Sequence, residues 1–409
     1  MFSRGQILAL ALLFVLSIAF RLGPLVILTL LLLLSAALAW CWKAAVLSHI
    51  SYNQELSQHH AFPDDMVELA IQIVNHKLLP ITALHVQEHA TIGLDWSGAQ
   101  RAQDWRPTSQ TLQRVTSLGA YESVRWRYQL RCPHRGTFRF GPTTLEAGDP
   151  FGFTLRQLQL AKRAELVVYP RVLPLAELGL ASGRPLGDSR SRHWLFTDPA
   201  HTAGARDYRF GDPLKSIHWP TTARRGSLQT RIYEPTMSLD LMVFLDLDTV
   251  QHAWEGRRSA AVERAISAAA TVVQAGLAER YSAGISINGM LEFQSGLVNI
   301  PPSCSPAQLT QIFDALARVV PYALLPMPEL LQQATATLPT GATVLVISVI
   351  APNALQTSLL RIRDHGHPTI WLYLGEDSPP VVPGVQVQHA PSPAMPTSVD
   401  TPATSTGAS

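Results

Sequence analysis

Residues 7–42 are almost all apolar, and apart from three hydroxyl residues only Arg21, Gly23 and Pro24 interrupt the run. A helix that crosses the hydrocarbon core of a bilayer needs about 20 apolar residues, with roughly 17 as a lower limit. The run is too long for one crossing and fits two short ones, residues 6–21 and 24–42, in an anchor spanning 6–43. The turn falls at Arg21-Leu22-Gly23-Pro24, where proline ends the incoming helix and can begin the next. A cleaved leader would show one shorter apolar core and then a small-residue cleavage site, but here a second apolar run follows. A buried core helix would be amphipathic, and residues 25–34 are apolar on all faces. One long tilted helix would put Arg21 near mid-bilayer, at high cost. A transmembrane helical hairpin in the lipid bilayer is therefore expected. Arg4 and Lys43 flank its ends, so positive-inside bias places both ends, and the soluble domains, on the cytoplasmic side of an inner or plasma membrane. Arg21 in the turn pulls the other way.

The remaining chain has to bury its own cores. With 409 residues, 47% hydrophobic, it has enough for two ordinary domains besides the anchor. A net charge of +2 and the lack of a basic tract exclude nucleic acid as the main partner. Cys41 lies in the apolar segment, and Cys132 and Cys304 are too few and too far apart for a disulfide framework, which fits a reducing compartment.

Residues 62–170 read as a β-domain. Val67, Leu69, Ile71 and Ile73 alternate with Glu68, Ala70 and Gln72. Val124, Trp126, Tyr128, Leu130 and Cys132 alternate with Ser123, Arg125, Arg127, Gln129 and Arg131, a period of two that buries one face. Short strands at 137–140 and 166–169, separated by Gly-Pro and Gly-Asp-Pro turns, complete a small sandwich, with residues 97–109 as a loop. Residues 171–237 are rich in Gly, Pro, Arg and Ser with little periodicity and form a connecting region. From 238 to 376 strands alternate with helices: strands at 239–245, 282–288, 343–350 and 369–374, helices at 259–280 and 354–365, and one opened by Ser305-Pro306. That order means a mainly parallel sheet covered on both faces. The Pro-, Ser- and Thr-rich tail, residues 377–409, is expected to be disordered.

The densest cluster of chemistry-bearing residues lies in the connecting region. Gly204-Ala205-Arg206-Asp207-Tyr208-Arg209-Phe210-Gly211-Asp212-Pro213 continues through Ile217-His218-Trp219 to Ala223-Arg224-Arg225-Gly226. Gly211-Asp212-Pro213 is a turn, and Arg206, Arg209, Lys215, Arg224 and Arg225 can bind an anion or brace Asp207 and Asp212. Here the chain closely resembles the family known as domain of unknown function 58, whose pattern G-x-R-x-Y-x-x-G-D-x-x-x-x-I-H-W, then A-R, is matched by Gly204, Arg206, Tyr208, Gly211, Asp212, Ile217, His218, Trp219, Ala223 and Arg224. Arg135-Gly136, Gly141-Pro142, Asp149-Pro150-Phe151-Gly152 and Val168-Tyr169-Pro170-Arg171 agree with the family's β region, while Pro220-Thr221-Thr222 departs from it. The resemblance covers most of the chain from the anchor to about residue 375. It implies a multidomain protein with a transmembrane hairpin, an immunoglobulin-like β-sandwich and an α/β von Willebrand A-like (Rossmann-like) domain. It also implies a bacterial or archaeal source, a MoxR-type AAA+ ATPase as partner, in some cases a transglutaminase-like membrane protein, and no established catalytic activity.

The site candidates are Arg206, Asp207, Tyr208, Gly211, Asp212, His218, Trp219 and Arg224. His218 invites an acid–base reading with Asp207 or Asp212 as its orienting acid; a packed histidine bonded to backbone is the favoured alternative. The resemblance also implies a Mg²⁺ site at the end of the first strand of the last domain, where the chain reads Asp246-Leu247-Asp248-Thr249-Val250. Asp246 fits, Asp248 adds charge, Val250 offers no ligand and Ile347-Ser348-Val349 lacks an acid, so the site is degenerate. Gly284-Ile285-Ser286 is no nucleophile elbow, Cys132-Pro133-His134 no ligand set, and no phosphate loop occurs. A non-enzymatic assembly protein working with the ATPase is the leading expectation. A hydrolase or transferase centred on His218, Asp212 and Arg224, and a metal-dependent adhesion-type module, are the alternatives.

Overall fold

The computed structural model describes residues 4–97, 101–103, 109–148, 155–180, 197–209, 216–235, 240–250, 259–292 and 296–390. The chain forms two compact units, Met1–Arg171 and Val172–Ser409.

The first unit opens with helices α1 (Arg4–Ala19) and α2 (Gly23–Ala45), joined through Arg21 at φ 55°. Of the two, α2 is long and apolar enough to cross a membrane. The 16 residues of α1 span about 24 Å at 1.5 Å per residue, short of a core of about 30 Å. Small and hydroxyl side chains are the buried ones here: Ser17, Thr29, Ala36 and Ala39. Ser17 and Thr29 donate to the backbone carbonyls of Phe14 and Leu25, both at 2.8 Å, so neither hydroxyl is left without an acceptor. Large apolar side chains such as Leu12, Ile18, Leu31 and Leu34 face outward.

Among the described residues, eleven strands follow in this unit: β1 (Ile50–Leu56), β2 (His60–Ala61), β3 (Met66–Asn75), β4 (Ile81–Thr91), β5 (Asp95–Ser97), β6 (Arg101–Gln103), β7 (Ser109–Leu118), β8 (Ser123–Arg131), β9 (Gly136–Gly148), β10 (Leu155–Leu160) and β11 (Ala164–Val168). They make one sheet in the order β1-β3-β8-β5 and a second in the order β2-β11-β9-β4-β7-β6, with β10 on β9. Both sheets contribute to one apolar core, in which Leu69, Ile71, Leu130 and Cys132 meet Leu84, Phe140, Leu145 and Leu166. Trp96 bridges them, with edge-on ring contacts to Tyr128 and Phe140 at 5.9 and 5.7 Å between centroids. The sheets begin at Ile50, not at 62, because β1 carries polar residues on its inward side; β6 also lies inside the stretch expected to be a loop.

The end of α2 is bonded into this body. Val46 and Leu47 are core residues and Trp42 packs against the same cluster. Lys77 Nζ donates to the carbonyls of Val46 and Ser48, each at 2.7 Å, and the Arg156 guanidinium donates to that of Ala44. Cations thus meet the negative end of the helix dipole and satisfy carbonyls that the helix leaves open.

The second unit begins with a short 3₁₀ turn, Leu175–Leu178, followed by the antiparallel pair β12 (Thr197–Asp207) and β13 (Gln229–Pro235), with α3 (Trp219–Arg225) between them. Contacts place residues 172 onward with the C-terminal unit, so this region is not a connector standing apart. Then come β14 (Asp240–Leu245), α4 (Ser259–Ala278), β15 (Ser282–Ile287), β16 (Gly289–Leu291), β17 (Val298–Ser303), α5 (Gln308–Arg318), β18 (Val319–Ala323), α6 (Met327–Thr335), β19 (Thr343–Ser348), α7 (Asn353–Asp364), β20 (Thr369–Tyr373) and β21 (Gln386–His389). The main sheet runs β17-β15-β14-β19-β20-β21, parallel except for the antiparallel edge β17. Met242, Phe244, Val344 and Val346 pack with Leu330 and Leu331 of α6 and Leu355 and Leu359 of α7. The alternate residues Leu241, Val243 and Leu245 are equally buried, as is the Val262, Ile266, Ala269 and Val273 face of α4. Near-continuous apolar strands are what a sheet covered on both faces requires.

Two expectations are corrected. The chain beyond 377 is ordered as far as Ala390: β21 pairs with β20, and Val382 and Val385 are buried, so the tail expected from residue 377 yields a sheet strand before it leaves the described residues. Its Pro-rich flanks mask a strand of only four residues. Ser305-Pro306 lies one turn ahead of α5, whose first helical residue is Gln308; Ser305 accepts from the Gln308 amide at 2.9 Å.

Candidate functional site

Two places gather the residues singled out above. The first is the β12–α3–β13 segment. Gln229, fully buried, is its centre. Its side-chain amide donates to Asp207 Oδ1 and, at 3.2 Å, to Ser227 Oγ; its backbone N–H donates to Thr222 Oγ1 at 3.0 Å and its carbonyl accepts from the His218 amide at 2.7 Å. Arg225 reaches its side-chain oxygen at 3.5 Å. His218 is the N-cap of α3: Nδ1 accepts from the Thr221 backbone N–H at 3.2 Å and lies 2.7 Å from Thr221 Oγ1. Ser, Thr, Asp and Asn are the usual caps, but an unprotonated imidazole nitrogen serves the same purpose. Asp207 therefore does not orient His218; Gln229 holds it, because β12 and β13 place Asp207 opposite Gln229 in register. Arg206 turns its guanidinium to the Asp207 carbonyl at 3.2 Å, and the Tyr208 amide donates to Leu228. Gly211 and Asp212 lie outside the described residues.

Trp219 and Arg224 are different. Both are exposed, Trp219 to 64%, while Thr221 and Thr222 turn inward to His218 and Gln229. At about 100° per residue, Trp219, Pro220, Ala223 and Arg224 fall on one outward arc of α3, and the half-buried Thr221 and Thr222 on the inward one.

The second place is the carboxyl end of the parallel sheet. The chain passes from β14 to β15 on one side and later to β19 on the other, so the strand order reverses beside β14. Crevices at such a reversal are where open α/β sheets bind ligands. Asp246 stands there, directly after β14, 2% exposed. Its Oδ1 accepts from Asn288 Nδ2 at 2.7 Å and from the Asp248 amide at 3.0 Å, and its own amide donates to Ile347 of β19 at 2.9 Å. Asn288 Oδ1 in turn accepts from the Leu247 amide at 2.9 Å. Burial pushes the Asp246 carboxyl up to about 7, and the nearby Asp248 carboxylate adds to the shift. Asp248, half-buried, is also raised by desolvation. A Cβ on Gly289 would sit 2.7 Å from the Tyr322 carbonyl, so glycine is needed where β16 and β18 close beside Leu247.

These donors do not fit the expected Mg²⁺ ion. The Asp246 oxygen that would lead the set faces amides, and Ser348 Oγ is used up between the Trp371 indole N–H and the Ile350 carbonyl, each at 2.9 Å. Among the described residues no group of at least three His, Cys, Asp or Glu side chains converges. Asp246 and Asp248 alone fall short of an octahedral shell. Asn288 and Gln229 were missed in the sequence. Asn288-Gly289 at the end of an apolar strand was a usable signal for the former; Gln229 had none, since its role depends on cross-strand register.

Residues 204–390 match the family model described as Protein of unknown function DUF58. Those residues belong to that family. The DUF58 segment runs from within β12 to just past β21, so it takes in both places and the corrected end of the sheet. YeaD, an uncharacterized protein of Bacillus subtilis (strain 168), is 25% identical over 175 residues, 41% of this chain; the chain spans only 40% of that relative's length. Among solved structures, the CARDB domain of a Pyrococcus furiosus protein in complex with di-metal ions is similar over 30% of this chain and 90% of its own, with 10% identity and a TM-score of 0.21. A cohesin module of a Clostridium perfringens family 33 glycoside hydrolase is similar over 29% of this chain and 96% of its own, with 12% identity and a TM-score of 0.21. Neither score assigns a fold.

Proposed function

We propose that this DUF58 chain is a non-enzymatic, membrane-anchored interaction protein that works with a MoxR-type AAA+ ATPase in the maturation of other proteins, beside a transglutaminase-like membrane protein in some settings. The observation that carries the reading is the division of labour in the motif: Asp207, His218 and Gln229 hold one another and α3, while Trp219 and Arg224 are turned to solvent. A hydrolase at His218 would need Nδ1 oriented by an acid, and that nitrogen is spent on Thr221.

On this reading α1 and α2 form a hairpin in the bilayer, with both ends and the soluble units in the cytoplasm, and the outward apolar side chains of both helices support it. The two-sheet body is then immunoglobulin-like and the doubly wound sheet von Willebrand A-like, with the strand-end surface around Asp246 and Asp248 as a contact surface in place of a loaded metal site. Co-purification of the full chain from native membranes is the test, with Asp246→Ala as a comparison. Recovery of an AAA+ ATPase with the wild-type chain is expected, reduced in the variant; recovery of no ATPase at all overturns the proposal.

A further inference from the structure

The interaction reading leaves open what chemistry the motif surface recognises, and the inference below rests on that reading. The outward arc of α3 has one apolar side and one cationic edge. Trp219 and Ala223 stand one turn apart on the helix, Pro220 lies beside them, and Arg224 closes the arc. Leu228, 45% exposed, follows the end of the helix, where Gly226 at φ 71° turns the chain back toward β13. The carboxylate of β12, Asp207, is held by Gln229 and not by Arg224. Arg225, also exposed, reaches the Gln229 side-chain oxygen at 3.5 Å and adds a second cation to the end of the helix.

We infer that this arc docks an acidic segment of a protein partner, with an apolar side chain of that segment laid over Trp219 and Ala223 and a carboxylate paired to the Arg224 guanidinium. Exposed tryptophan and arginine are the residue types that dominate binding energy at protein interfaces. Arginine offers a planar fork that fits a carboxylate bidentately. A lipid surface fits less well, because the apolar arc is barely one turn long and its helix has seven residues, too little for an interfacial helix to embed.

The test uses the full chain in nanodiscs of neutral lipid and a fluorescein-labelled peptide alternating Asp or Glu with Leu and Phe, followed by anisotropy. Binding that weakens with salt is expected, falling about tenfold or more in Trp219→Ala and in Arg224→Glu, with Arg224→Lys losing less. A peptide of the same pattern with Lys for the acids should not bind. Both positions are exposed, so the variants should keep the wild-type thermal transition. Three results overturn the inference: no acidic-peptide binding, binding indifferent to both substitutions, or displacement of the peptide by phosphatidylglycerol vesicles, which would make the arc a lipid contact. Co-purification of the ATPase that persists in Trp219→Ala and Arg224→Glu removes this surface and leaves the interaction reading standing. Its absence from the wild-type preparation removes that reading itself.

Discussion

Glu88 on β4 and Asp246 after β14 are equally buried, each 2% exposed, yet their surroundings set them to opposite uses. Glu88 accepts from Tyr52 Oη at 2.7 Å and Thr143 Oγ1 at 2.6 Å on one oxygen, and from Gln54 Nε2 at 2.9 Å on the other. Tyr52 and Gln54 come from β1 in one sheet, and Glu88 and Thr143 from the other, so the carboxyl braces the two sheets through the strand that continues from α2. Burial raises the Glu88 carboxyl, and its three donors oppose that rise. Asp246 accepts from Asn288 and the Asp248 amide on the same oxygen, Oδ1, and its acidic neighbour Asp248 works against ionisation. Side-chain donors on both oxygens make a brace; donors on one, at the end of a parallel sheet, leave a group poised to titrate.

Removing the brace should have the largest effect. Glu88→Ala would leave the Tyr52 and Thr143 hydroxyls and the Gln54 amide buried without their acceptor, and each such orphan costs about 1–3 kcal/mol. Urea unfolding should show a loss of about 4 kcal/mol in the first unit. A loss below about 1 kcal/mol would mean that the sheets do not depend on this carboxyl.

The same residues explain what the sequence concealed. Strands β3 and β8 were legible because their inward positions, such as Leu69, Ile71, Tyr128 and Leu130, are apolar at every second residue. β1 turns Tyr52 and Gln54 toward Glu88, and a polar inward residue destroys the period of two that reveals a strand. β21 is four residues long and reads Gln386-Val387-Gln388-His389 between prolines and the terminal stretch, so composition outweighed pattern. In the candidate sites, Asp246 stood out because an acid ends an apolar strand. Its partner Asn288 is 42 residues away, and the pairing of β14 with β15 is what brings the two together. His218 was legible only as part of a dense motif, because α3 follows it in a stretch with little periodicity and its ring partner Thr221 is set by that helix.

Asp246 gives the next effect, and its sign is opposite at high pH. Its folded value of about 7 lies above the ordinary 3.8, so the native state holds the proton more tightly than the unfolded chain. That contribution to stability is full below the unfolded value and is lost as pH rises through about 7. Asp246→Asn keeps an acceptor for Asn288 and the Asp248 amide but cannot ionise. It should therefore match the wild type near about pH 4 and exceed it by about 1–3 kcal/mol near about pH 8. Melts across that range check it. A wild-type chain that gains stability from Mg²⁺ at high pH, with no gain in the variant, would break the comparison by turning a poised carboxyl into a ligand.

Asn288→Ala should cost about 2 kcal/mol, since it orphans the Leu247 amide and removes the side-chain donor to Asp246 Oδ1. It should also raise the Asp246 titration further, because the Asn288 bond favours the ionised form. An NMR titration of the Asp246 carboxyl carbon reads this directly, and an unmoved midpoint would detach the two residues.

His218→Ala carries the smallest effect and the sharpest contrast with Asp246. A helix cap is worth about 1 kcal/mol, and α3 is short and lies at the surface, so global unfolding should move by less than that. The change belongs in local exchange instead: the Thr221 backbone N–H loses its acceptor at His218 Nδ1, and its hydrogen exchange should speed up about threefold or more. His218→Asn, which offers an oxygen at the same place, should restore most of that protection. If exchange at Thr221 stays unchanged in His218→Ala, the imidazole is not held by this helix. Its place in the motif then needs a ligand to explain it, and the division between a self-supporting motif and a poised strand end no longer holds.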